Sequence, residues 1–406
     1  MQRFFIERLG HQGDGIAKGP VYVPGTLPGE EIEGQATAGV ITTPKIVTPS
    51  DDRVRPPCSH AKACGGCQLQ HASDSFVSHW KVEVVRNALS AHGLTPSIDG
   101  PVTSEPRSRR RASFSARRTK KGALAGFHQK RSDIVVSVPN CQLVHPQIAT
   151  ALPLVEQLAI TSASRKGELS VLVTRSEGGL DVSVTGGKPL NDELRQALPE
   201  LANAYDLPRL TWDGETVALR HPPAQRFGPA RVVPPAGAFL QATEEGQRAL
   251  QDAVSRITKG AARIADLFAG CGTFALPLAQ GAEVHAVEGD RHMLRALDQG
   301  WRQAQGLKRV TTETRDLFRT PLLPDELRSF GAVVIDPPRA GAQAQVAEIA
   351  RSEVPRIAYV SCNPVTFARD AAHLQANGFD LRGIVVIDQF RWSTHVELVA
   401  EFIRQD

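Results

Sequence analysis

A cysteine stands where an apolar, β-rich stretch gives way to a turn. Residues 356–361, RIAYVS, have the composition of a buried strand, and Cys362, Asn363 and Pro364 follow directly. Asn-Pro favours a turn, because the residue before a proline is disfavoured in helical geometry. A lone cysteine is usually a small buried hydrophobic residue. At the carboxyl edge of a sheet, however, a thiolate is a strong nucleophile, and we expect Cys362 to act as one.

Such a thiolate suits chemistry on an electron-poor ring such as uracil. Addition of the sulfur to C6 makes C5 carbanion-like, and C5 can then attack an activated methyl group. The intermediate has to lose its C5 proton to a base before the thiol can leave. The sequence HVELV, residues 395–399, offers Glu397 as that base and His395 as a residue that assists or orients it. By itself Glu397 has the pattern of a solvated strand carboxylate, so its assignment depends on the resemblance given below.

A glycine-rich loop follows an earlier predicted strand. The segment DLFAGCGTFALPLA, residues 266–279, places Asp266, Gly270 and Gly272 at the strand end, where glycines let the backbone approach a ligand closely. Glu288 ends the next strand, where a carboxylate can bind both ribose hydroxyls. The loop fits a dinucleotide, as G-x-G-x-x-A, and it also fits S-adenosylmethionine.

Two later strand ends favour S-adenosylmethionine over a dinucleotide. Asp316 in TRDLF ends the third strand and suits an adenine amine. Asp336 begins DPPR, residues 336–339, at the end of the fourth strand. That motif has no place in a dinucleotide-binding fingerprint.

Four further cysteines have spacing typical of a metal site. Cys58, Cys64 and Cys67 follow Cys-x5-Cys-x2-Cys, and Cys141 lies in VPNCQLVHP. Four thiolates suit tetrahedral zinc or an iron–sulfur cluster, and the spacing does not separate the two. Unligated, reduced cysteines are the alternative. The sixth cysteine, Cys271 in the glycine loop, is interpreted as incidental.

A basic segment lies between Glu105 and Asp133 and contains ten Lys or Arg, with Phe114 and Phe127 among them. Cations neutralise phosphates, and aromatic rings can stack on unpaired bases. A run of charges is more often a solvated face, but beside a site for base chemistry it predicts an RNA-binding surface. The candidate RNA-binding residues are Arg109, Arg110, Arg111, Arg117, Arg118, Lys120 and Lys121.

The elements that position these residues predict an α/β fold. From about residue 236, strands alternate with helices, which indicates a parallel, doubly wound sheet, and two closing strands imply an antiparallel edge. Residues 1–50 have the short β-rich pieces of a small barrel, and residues 51–235 mix helices and strands in a central domain. The segment from 236 to 406 is the predicted catalytic domain.

Composition is compatible with these predictions. The chain is 41% hydrophobic with a formal net charge of +4, which allows a packed core and permits a nucleic-acid partner. No signal-peptide pattern and no run of 18 apolar residues occurs, and the cysteines do not suggest a secreted disulfide framework. We therefore expect a cytoplasmic protein, with no membrane and no obligatory protein partner.

In order and spacing, four motifs resemble those of the RNA uracil-5-methyltransferases: DLFAGCGTF, VIDPPRAG, YVSCNPVTFARD and DQFRWSTHVELV. The resemblance covers essentially the whole chain. It implies a Rossmann-like methyltransferase domain, a TRAM/OB-like N-terminal barrel, Cys362 as nucleophile and Glu397 as proton acceptor. It also implies that residues around S-adenosylmethionine and the target base include Gln241, Phe268, Gly270, Thr273, Glu288, Asp316 and Asp336.

The resemblance also bears on the cysteines and on the substrate. The ribosomal-RNA branch of the family carries a [4Fe-4S] cluster on a similar cysteine set, which favours the cluster over zinc on Cys58, Cys64, Cys67 and Cys141 and favours 23S ribosomal RNA as substrate. Two positions depart from the family pattern, which usually has asparagine at Thr273 and often at Thr243. The assignment of Thr273 to the cofactor is weakened accordingly.

Three alternatives stay open from the sequence. The chain could methylate transfer RNA, it could be a dinucleotide-dependent oxidoreductase, or it could be an RNA-binding or RNA-folding module that keeps the fold without turnover. The SCNP motif argues against the oxidoreductase, and the presence of both Cys362 and Glu397 argues against the inactive module.

Overall fold

The structure, a computed structural model, describes residues 2–405. An N-terminal five-stranded sheet has the strand order β3-β2-β1-β4-β5. Its strands are β1 (Gln2–Leu9), β2 (Asp14–Ala17), β3 (Val21–Pro24), β4 (Glu31–Gly34) and β5 (Lys45–Thr48). Alternating positions supply its core, which includes Ile6, Val23, Ile32 and Ile41. The edge strand β3 is hydrogen-bonded to the loop before β5 through Tyr22 and Ile41. The closed barrel stays a prediction.

A helix and a strand follow the cysteine-rich joint. Helix α1 (Asp74–Ser90) begins at Ser73, whose hydroxyl accepts a hydrogen bond from the Phe76 N–H as an N-cap does. Strand β6 (Ser97–Thr103) comes next.

The central part is a seven-stranded sheet with the order β13-β12-β11-β10-β7-β8-β9. Its strands are β7 (Arg111–Thr119), β8 (Gly122–His128), β9 (Val135–Val136), β10 (Glu168–Ser176), β11 (Gly179–Thr185), β12 (Arg209–Trp212) and β13 (Glu215–Leu219). Its helices are α2 (Pro146–Ala149), α3 (Leu152–Ser162) and α4 (Asp192–Ala204). Strands β10 and β11 pair as an antiparallel hairpin.

The C-terminal part follows a small hairpin and is the alternating α/β unit that the sequence predicts. The hairpin strands are β14 (Gln225–Phe227) and β15 (Ala230–Val232). The later strands are β16 (Arg263–Leu267), β17 (Glu283–Glu288), β18 (Val310–Thr314), β19 (Ala332–Ile335), β20 (Arg356–Ser361), β21 (Phe379–Asp388) and β22 (Glu397–Arg404). The helices are α5 (Glu244–Ile257), α6 (Ala275–Leu278), α7 (Arg291–Gln303), α8 (Pro324–Leu327), α9 (Gln343–Arg351) and α10 (Pro364–Ala376).

These strands form one eight-stranded sheet with the order β18-β17-β16-β19-β20-β22-β21-β6. The five strands from β18 to β20 are parallel, and β22 lies antiparallel between β20 and β21. The carboxyl ends of the parallel strands therefore meet at one edge, where ligands of such sheets bind. Apolar residues of both sheet faces pack against the helices in two cores.

The edge of this sheet differs from the prediction. The closing pair β21 and β22 is antiparallel as expected, but the edge strand is β6, which pairs in parallel with β21. Residues 74–103, which the sequence places in the central domain, therefore contribute a helix and a strand to the C-terminal sheet. A strand from a distant segment covers an otherwise unpaired edge, and local sequence patterns carry no sign of that pairing. The other domain boundaries stay predictions.

A buried ion pair fixes α1 to this sheet. Lys81 Nζ lies 2.5 Å from Asp388 Oδ1 at the end of β21 and donates a second hydrogen bond to the Phe390 carbonyl oxygen. Both side chains are almost fully buried. The pair therefore holds the start of the loop between β21 and β22, which we call the 389–396 loop. Within residues 2–405, no helix combines the length and the apolar character needed to cross a bilayer.

Candidate active site

The carboxyl ends of the parallel strands open into one cavity of about 630 Å³. That volume suits a small-molecule site. Every residue predicted for catalysis or cofactor binding lines it, namely Gln241, Phe268, Gly270, Thr273, Glu288, Asp316, Asp336, Cys362 and Glu397. The structure thus brings together positions that are far apart in sequence.

The glycine loop after β16 has the backbone geometry that its sequence predicts. Gly270 and Gly272 have positive φ angles of 55° and 93°. A Cβ atom at Gly272 would lie 2.8 Å from Leu297 Cγ, so glycine is needed there for close packing against α7. The Gly270 N–H donates to Glu288 Oε2 at 3.0 Å, which orients the Glu288 carboxylate at the end of β17.

An aromatic pair lies at the Asp316 end of the cavity. Its first member, Phe268, is among the predicted residues, and its second member, Phe318, is not. Phe268 and Phe318 have ring centroids 5.4 Å apart, and Phe318 is 47% exposed. Phe268 has a positive φ of 63°, which is rare for a bulky residue and marks strain of the kind found at binding sites. The Asp316 side chain accepts a hydrogen bond from the Phe318 N–H at 3.0 Å, so the carboxylate and the ring are held together. The signal in the sequence that could have identified Phe318 was an aromatic residue two positions after the strand-end acid Asp316.

Sheet register places Cys362 opposite Glu397. Strand β20 pairs with β22 so that Ser361 faces Leu398, and one step further brings Cys362 and Glu397 together at the end of the ladder. Asn363 caps α10 by accepting a hydrogen bond from the Val365 N–H, and Pro364 is in its first turn. Asn363 Nδ2 also donates to the Arg339 carbonyl oxygen at 2.9 Å, which ties this turn to the DPPR loop.

Burial raises the pKa of three groups at this end of the cavity, namely Glu397, Asp336 and Cys362. Burial raises the pKa of Glu397 to about 8, and the nearby Asp336 carboxylate adds to that effect. Burial also raises the pKa of Asp336 to about 7. Burial, then the charges of Glu397 and Asp336, raise the pKa of Cys362 to about 11, whereas the Arg339 cation lowers it. The free site therefore holds protons at neutral pH that the chemistry has to move.

His395 does not have the direct contact with Glu397 that the sequence suggested. Burial lowers its pKa, as do the cations of Arg339, Lys81 and Arg109. Its ring packs on Phe390 with centroids 5.4 Å apart. The hydrogen bonds described for residues 2–405 include none between the His395 ring and Glu397. The Gln389 amide, by contrast, lies near enough to Glu397 to lower the pKa of that carboxyl against the effect of burial.

The seven predicted RNA-binding residues separate into two groups. Arg117, Arg118, Lys120 and Lys121 are exposed around the turn between β7 and β8. The other three lie near the junction with the C-terminal part, at Arg109, Arg110 and Arg111.

Arg110 has a structural position rather than an exposed one. It is 2% exposed and donates to the Gln241 carbonyl oxygen and to Gln247 Oε1. A side chain enclosed in this way cannot contact a phosphate, so Arg110 holds the segment that carries Gln241. Phe114 is likewise buried and stacks on Phe127 at 5.0 Å, which removes it as a platform for a base.

The four predicted metal ligands line one small apolar pocket. Cys58, Cys64, Cys67 and Cys141 face it together with residues such as Phe127 and Val138. Burial raises the pKa of Cys67 to about 12. Arg109 lies close enough to the Cys67 and Cys141 thiols for their charges to raise its pKa, against the lowering caused by its own burial. Within the described residues, no group of three or more His, Cys, Asp or Glu side chains has ready-made metal-binding geometry.

The cysteine segment also contacts the 389–396 loop. The N–H groups of Gln68 and Leu69, directly after Cys67, both donate to the Trp392 carbonyl oxygen at 2.8 and 2.9 Å. Arg109 lies over the Phe390 ring at 5.6 Å. The segment that holds three of the four thiols, those of Cys58, Cys64 and Cys67, therefore packs on the loop that leads into Glu397.

Comparison with known proteins identifies the family. Residues 302–404 match the family profile described as tRNA (Uracil-5-)-methyltransferase. An RNA methyltransferase from Rhizobium meliloti is 44% identical over 97% of both chains. The 23S rRNA (uracil(1939)-C(5))-methyltransferase RlmD from Halomonas elongata is 32% identical over 97% of this chain and 87% of its own length.

A solved structure shares the fold. The chain matches the structure of the Pyrococcus abyssi tRNA (uracil-54, C5)-methyltransferase in complex with S-adenosyl-L-homocysteine with a TM-score of 0.76 and 22% sequence identity. The match covers 99% of each chain. The chain belongs to the RNA uracil-5-methyltransferase family and is an S-adenosylmethionine-dependent enzyme that acts on RNA. The oxidoreductase alternative is thereby excluded.

The raised pKa of Glu397 gives a stability test. Its pKa is about 8 in the folded chain against an ordinary 4.5, so the folded state binds this proton more tightly than the unfolded chain does. The free energy of unfolding therefore falls as pH rises from about 5 to about 8. Glu397→Gln cannot ionise, so its Tm should exceed that of the wild type by about 2 to 4 °C at pH 9 and by less at pH 5.

Thermal unfolding at the two pH values measures this difference. Glu215→Gln, at an exposed carboxylate whose pKa is lowered by Arg195, should show no alkaline gain in Tm. An identical Tm difference between Glu397→Gln and wild type at both pH values would contradict the buried ionisation.

Proposed function

We propose that this enzyme methylates C5 of a uridine through a transient bond between Cys362 Sγ and C6 of the base. The observation that carries the proposal is the register of β20 and β22, which puts Cys362 and Glu397 opposite each other at the wall of one cavity. A nucleophile and a base are both required, because C6 addition and C5 deprotonation are separate steps. The target uracil also has to leave its stack for both carbons to be reached.

The cofactor residues fit S-adenosylmethionine. Glu288 offers a fixed carboxylate for ribose hydroxyls, Asp316 can accept from an adenine amine, and Phe268 and Phe318 supply apolar faces beside it. The positive φ at Gly270 and the open space around it let a ligand approach the backbone. Bound there, the cofactor supplies an electrophilic methyl group. Thr273 lines the same cavity and completes the predicted set with Gln241 and Asp336.

Cys362 has to lose its proton before it attacks. Ionised Glu397 and Asp336 raise the pKa of its thiol, so protonation of these carboxyls makes the thiolate easier to form. Arg339 acts in the same direction, since its cation lowers the pKa of both Cys362 and Glu397. Cys362 gives up its proton to solvent before the attack, and Glu397 gives up its own to solvent before the C5 proton is removed. Once C5 carries the methyl group, ionised Glu397 accepts the C5 proton, the C5–C6 double bond is restored, and the bond from C6 to Cys362 breaks with its electrons returning to sulfur. The raised pKa of Glu397 makes it a stronger base than an ordinary carboxylate.

Covalent trapping tests the nucleophile. RNA containing 5-fluorouridine has no C5 proton to lose, so the wild-type protein with S-adenosylmethionine should form an adduct that survives denaturing gel electrophoresis. Cys362→Ala should form none. Cys271→Ala is the matched control, because Cys271 also lines the cavity and burial raises its pKa to about 12, and this variant should keep adduct formation.

An RNA-binding but inactive module would bind the fluorinated RNA and leave no adduct with the unmodified chain. That outcome would contradict the proposed chemistry. The cavity shared by Cys362 and Glu397 supports the catalytic alternative.

Ribosomal RNA is the proposed substrate, acted on in the cytoplasm. The relative from Halomonas elongata is named for a uridine of 23S rRNA and aligns with 97% of this chain, and the cysteine set resembles that branch. Transfer RNA is the second candidate, since the matched family profile and the Pyrococcus abyssi protein are named for it.

The exposed cations between β7 and β8 form the proposed RNA-binding surface, which consists of Arg117, Arg118, Lys120 and Lys121. The N-terminal sheet, proposed to be a TRAM/OB-like barrel, lies beside the basic segment. Buried Asp14 of β2 pairs with Lys130 at 2.9 Å and with Arg131. Those two cations therefore join the N-terminal and central parts. Among the four exposed cations, Arg117 pairs with Glu168 at 2.5 Å, whereas Arg118, Lys120 and Lys121 have no ion pair within residues 2–405 and can meet phosphates.

Salt dependence tests this surface. Changing Arg117, Arg118, Lys120 and Lys121 together to alanine should weaken RNA binding and flatten the slope of log affinity against log salt by about 0.7 for each phosphate that is no longer neutralised. Filter binding over a range of salt measures the slope. The matched control changes four exposed cations elsewhere, Arg295, Arg302, Lys308 and Arg309, and should leave affinity and slope unchanged. Equal slopes in both variants would contradict the assignment.

The four cysteines are proposed to hold a [4Fe-4S] cluster, with zinc as the alternative. Their thiols line one pocket, its walls are apolar, and the Arg109 cation lies near two of them, which suits a cluster with negative charge. The high pKa of free Cys67 means that metal binding has to release a proton there. Because the same segment contacts Trp392, we assign the group a positioning role rather than a chemical one.

Metal analysis of anaerobically purified protein tests this ligand set. The wild-type chain should contain about four iron atoms and absorb broadly near 400 nm, as iron–sulfur clusters do. Cys141→Ser should lose the iron, whereas Cys271→Ser should keep it. Stoichiometric zinc without iron in the wild-type protein would contradict the cluster.

A further inference from the structure

Gln389 lies between the predicted cofactor residue and the predicted base. It is 1% exposed and stands at the start of the 389–396 loop, directly after β21. Its Oε1 accepts from the Ala242 N–H at 2.7 Å, and its Nε2 donates to Gln241 Oε1 at 2.6 Å. Glu397 pairs with Ile387 in the ladder of β21 and β22, two residues before Gln389, and the Gln389 amide is near enough to lower the pKa of that carboxyl. One amide therefore connects segments that are more than a hundred residues apart in sequence.

The hydrogen-bond roles in this network are fixed by the backbone. A peptide N–H can only donate, so the atom of Gln389 that faces Ala242 has to be its oxygen. The NH₂ group of Gln389 is then the part that faces Gln241 and Glu397, and Gln241 has to present its own oxygen in return. The NH₂ group of Gln241 is left as a donor on the cavity side.

Packing holds Gln389 in this position. A Cβ atom at Gly246, in the first turn of α5, would lie 2.6 Å from Gln389 Cβ, so the helix makes room for this side chain by having glycine there. Arg110 donates to the carbonyl oxygen of Gln241, which fixes the backbone on the other side. Lys81 and Asp388 fix the residue that precedes Gln389. The amide thus has little freedom to turn.

The NH₂ group of Gln389 near Glu397 stabilises the charged form of that carboxyl. Burial and the Asp336 carboxylate raise the pKa of Glu397, and the Gln389 amide opposes them. Loss of the donor makes Glu397 harder to ionise, while the cavity and the thiol stay in place.

We propose that Gln389 is a positioning residue for the methyl transfer, which orients the Gln241 amide with its donor group toward the cavity and holds Glu397 ready to accept the C5 proton. This inference rests on the proposed roles of Cys362 and Glu397. Gln389 itself does not touch the reacting atoms.

The test compares Gln389→Met and Gln389→Glu with wild type in single-turnover methylation across pH 6 to 10. Gln389→Met keeps the length but has no donor, and the single-turnover rate constant should fall about tenfold, the size expected when a buried donor beside a charged group is lost. The acid limb of its pH–rate profile should move to higher pH. RNA with ordinary uridine should accumulate as a covalent adduct, because removal of the C5 proton becomes slow. Gln389→Glu can still accept a hydrogen bond from the Ala242 N–H, but it cannot donate one to Gln241 when it is ionised. The fall in its rate and the shift of its acid limb should therefore both be larger than those of Gln389→Met.

Gln345→Met is the matched control. Gln345 is fully buried and its amide bonds both backbone groups of Leu322, away from the cavity, so its loss costs stability without touching the base. It should lower the Tm and leave the pH profile and adduct level as in wild type. The inference is overturned if the acid limb of Gln389→Met coincides with that of wild type, or if Gln345→Met shifts it equally. Failure of the proposed function can be distinguished from failure of this inference, because in the former case the wild type would form no adduct with 5-fluorouridine RNA.

Discussion

The chemistry proposed for this enzyme depends on the register of two neighbouring strands. In an antiparallel ladder, the pairing of Ser361 with Leu398 makes Cys362 and Glu397 the next opposite pair, at the edge where the parallel strands end. A shift of one residue would turn Glu397 to the other sheet face. The insertion of β22 between β20 and β21, rather than at the edge, is what supports this register from both sides. The site is therefore built into the sheet, and the loops around it adjust the ionisation of its groups.

Distant parts of the chain converge on the loop between β21 and β22. Helix α1 holds its start through Lys81, the cysteine segment holds its middle through Trp392, and Gln389 joins it to the segment carrying Gln241. Through these contacts, segments with no residue in the cavity hold the loop that leads into Glu397. The buried polar groups here are each hydrogen-bonded, which gives the loop one defined position.

The sequence predicted which residues line the cavity better than it predicted the residues that support them. Cys362, the glycine loop and the strand-end acids carry local signals, because turns, glycines and β-rich runs report backbone geometry directly. The edge position of β6 and the role of Gln389 depend on contacts across the chain, which no local pattern records. Arg110 shows the converse error, since a cation within a basic run was expected on the surface but is enclosed by the segment it holds. Charge alone does not distinguish a phosphate contact from a buried hydrogen-bond donor.

Release of tritium from RNA labelled at uridine C5 tests the central claim most directly. If Cys362 adds to C6 and Glu397 then removes the C5 hydrogen, wild type should release one tritium for each methyl group transferred. Glu397→Gln should transfer the methyl group and retain the tritium in a covalent complex, and Cys362→Ala should do neither. Tritium release by Glu397→Gln at the wild-type rate, or methylation by Cys362→Ala, would contradict the account.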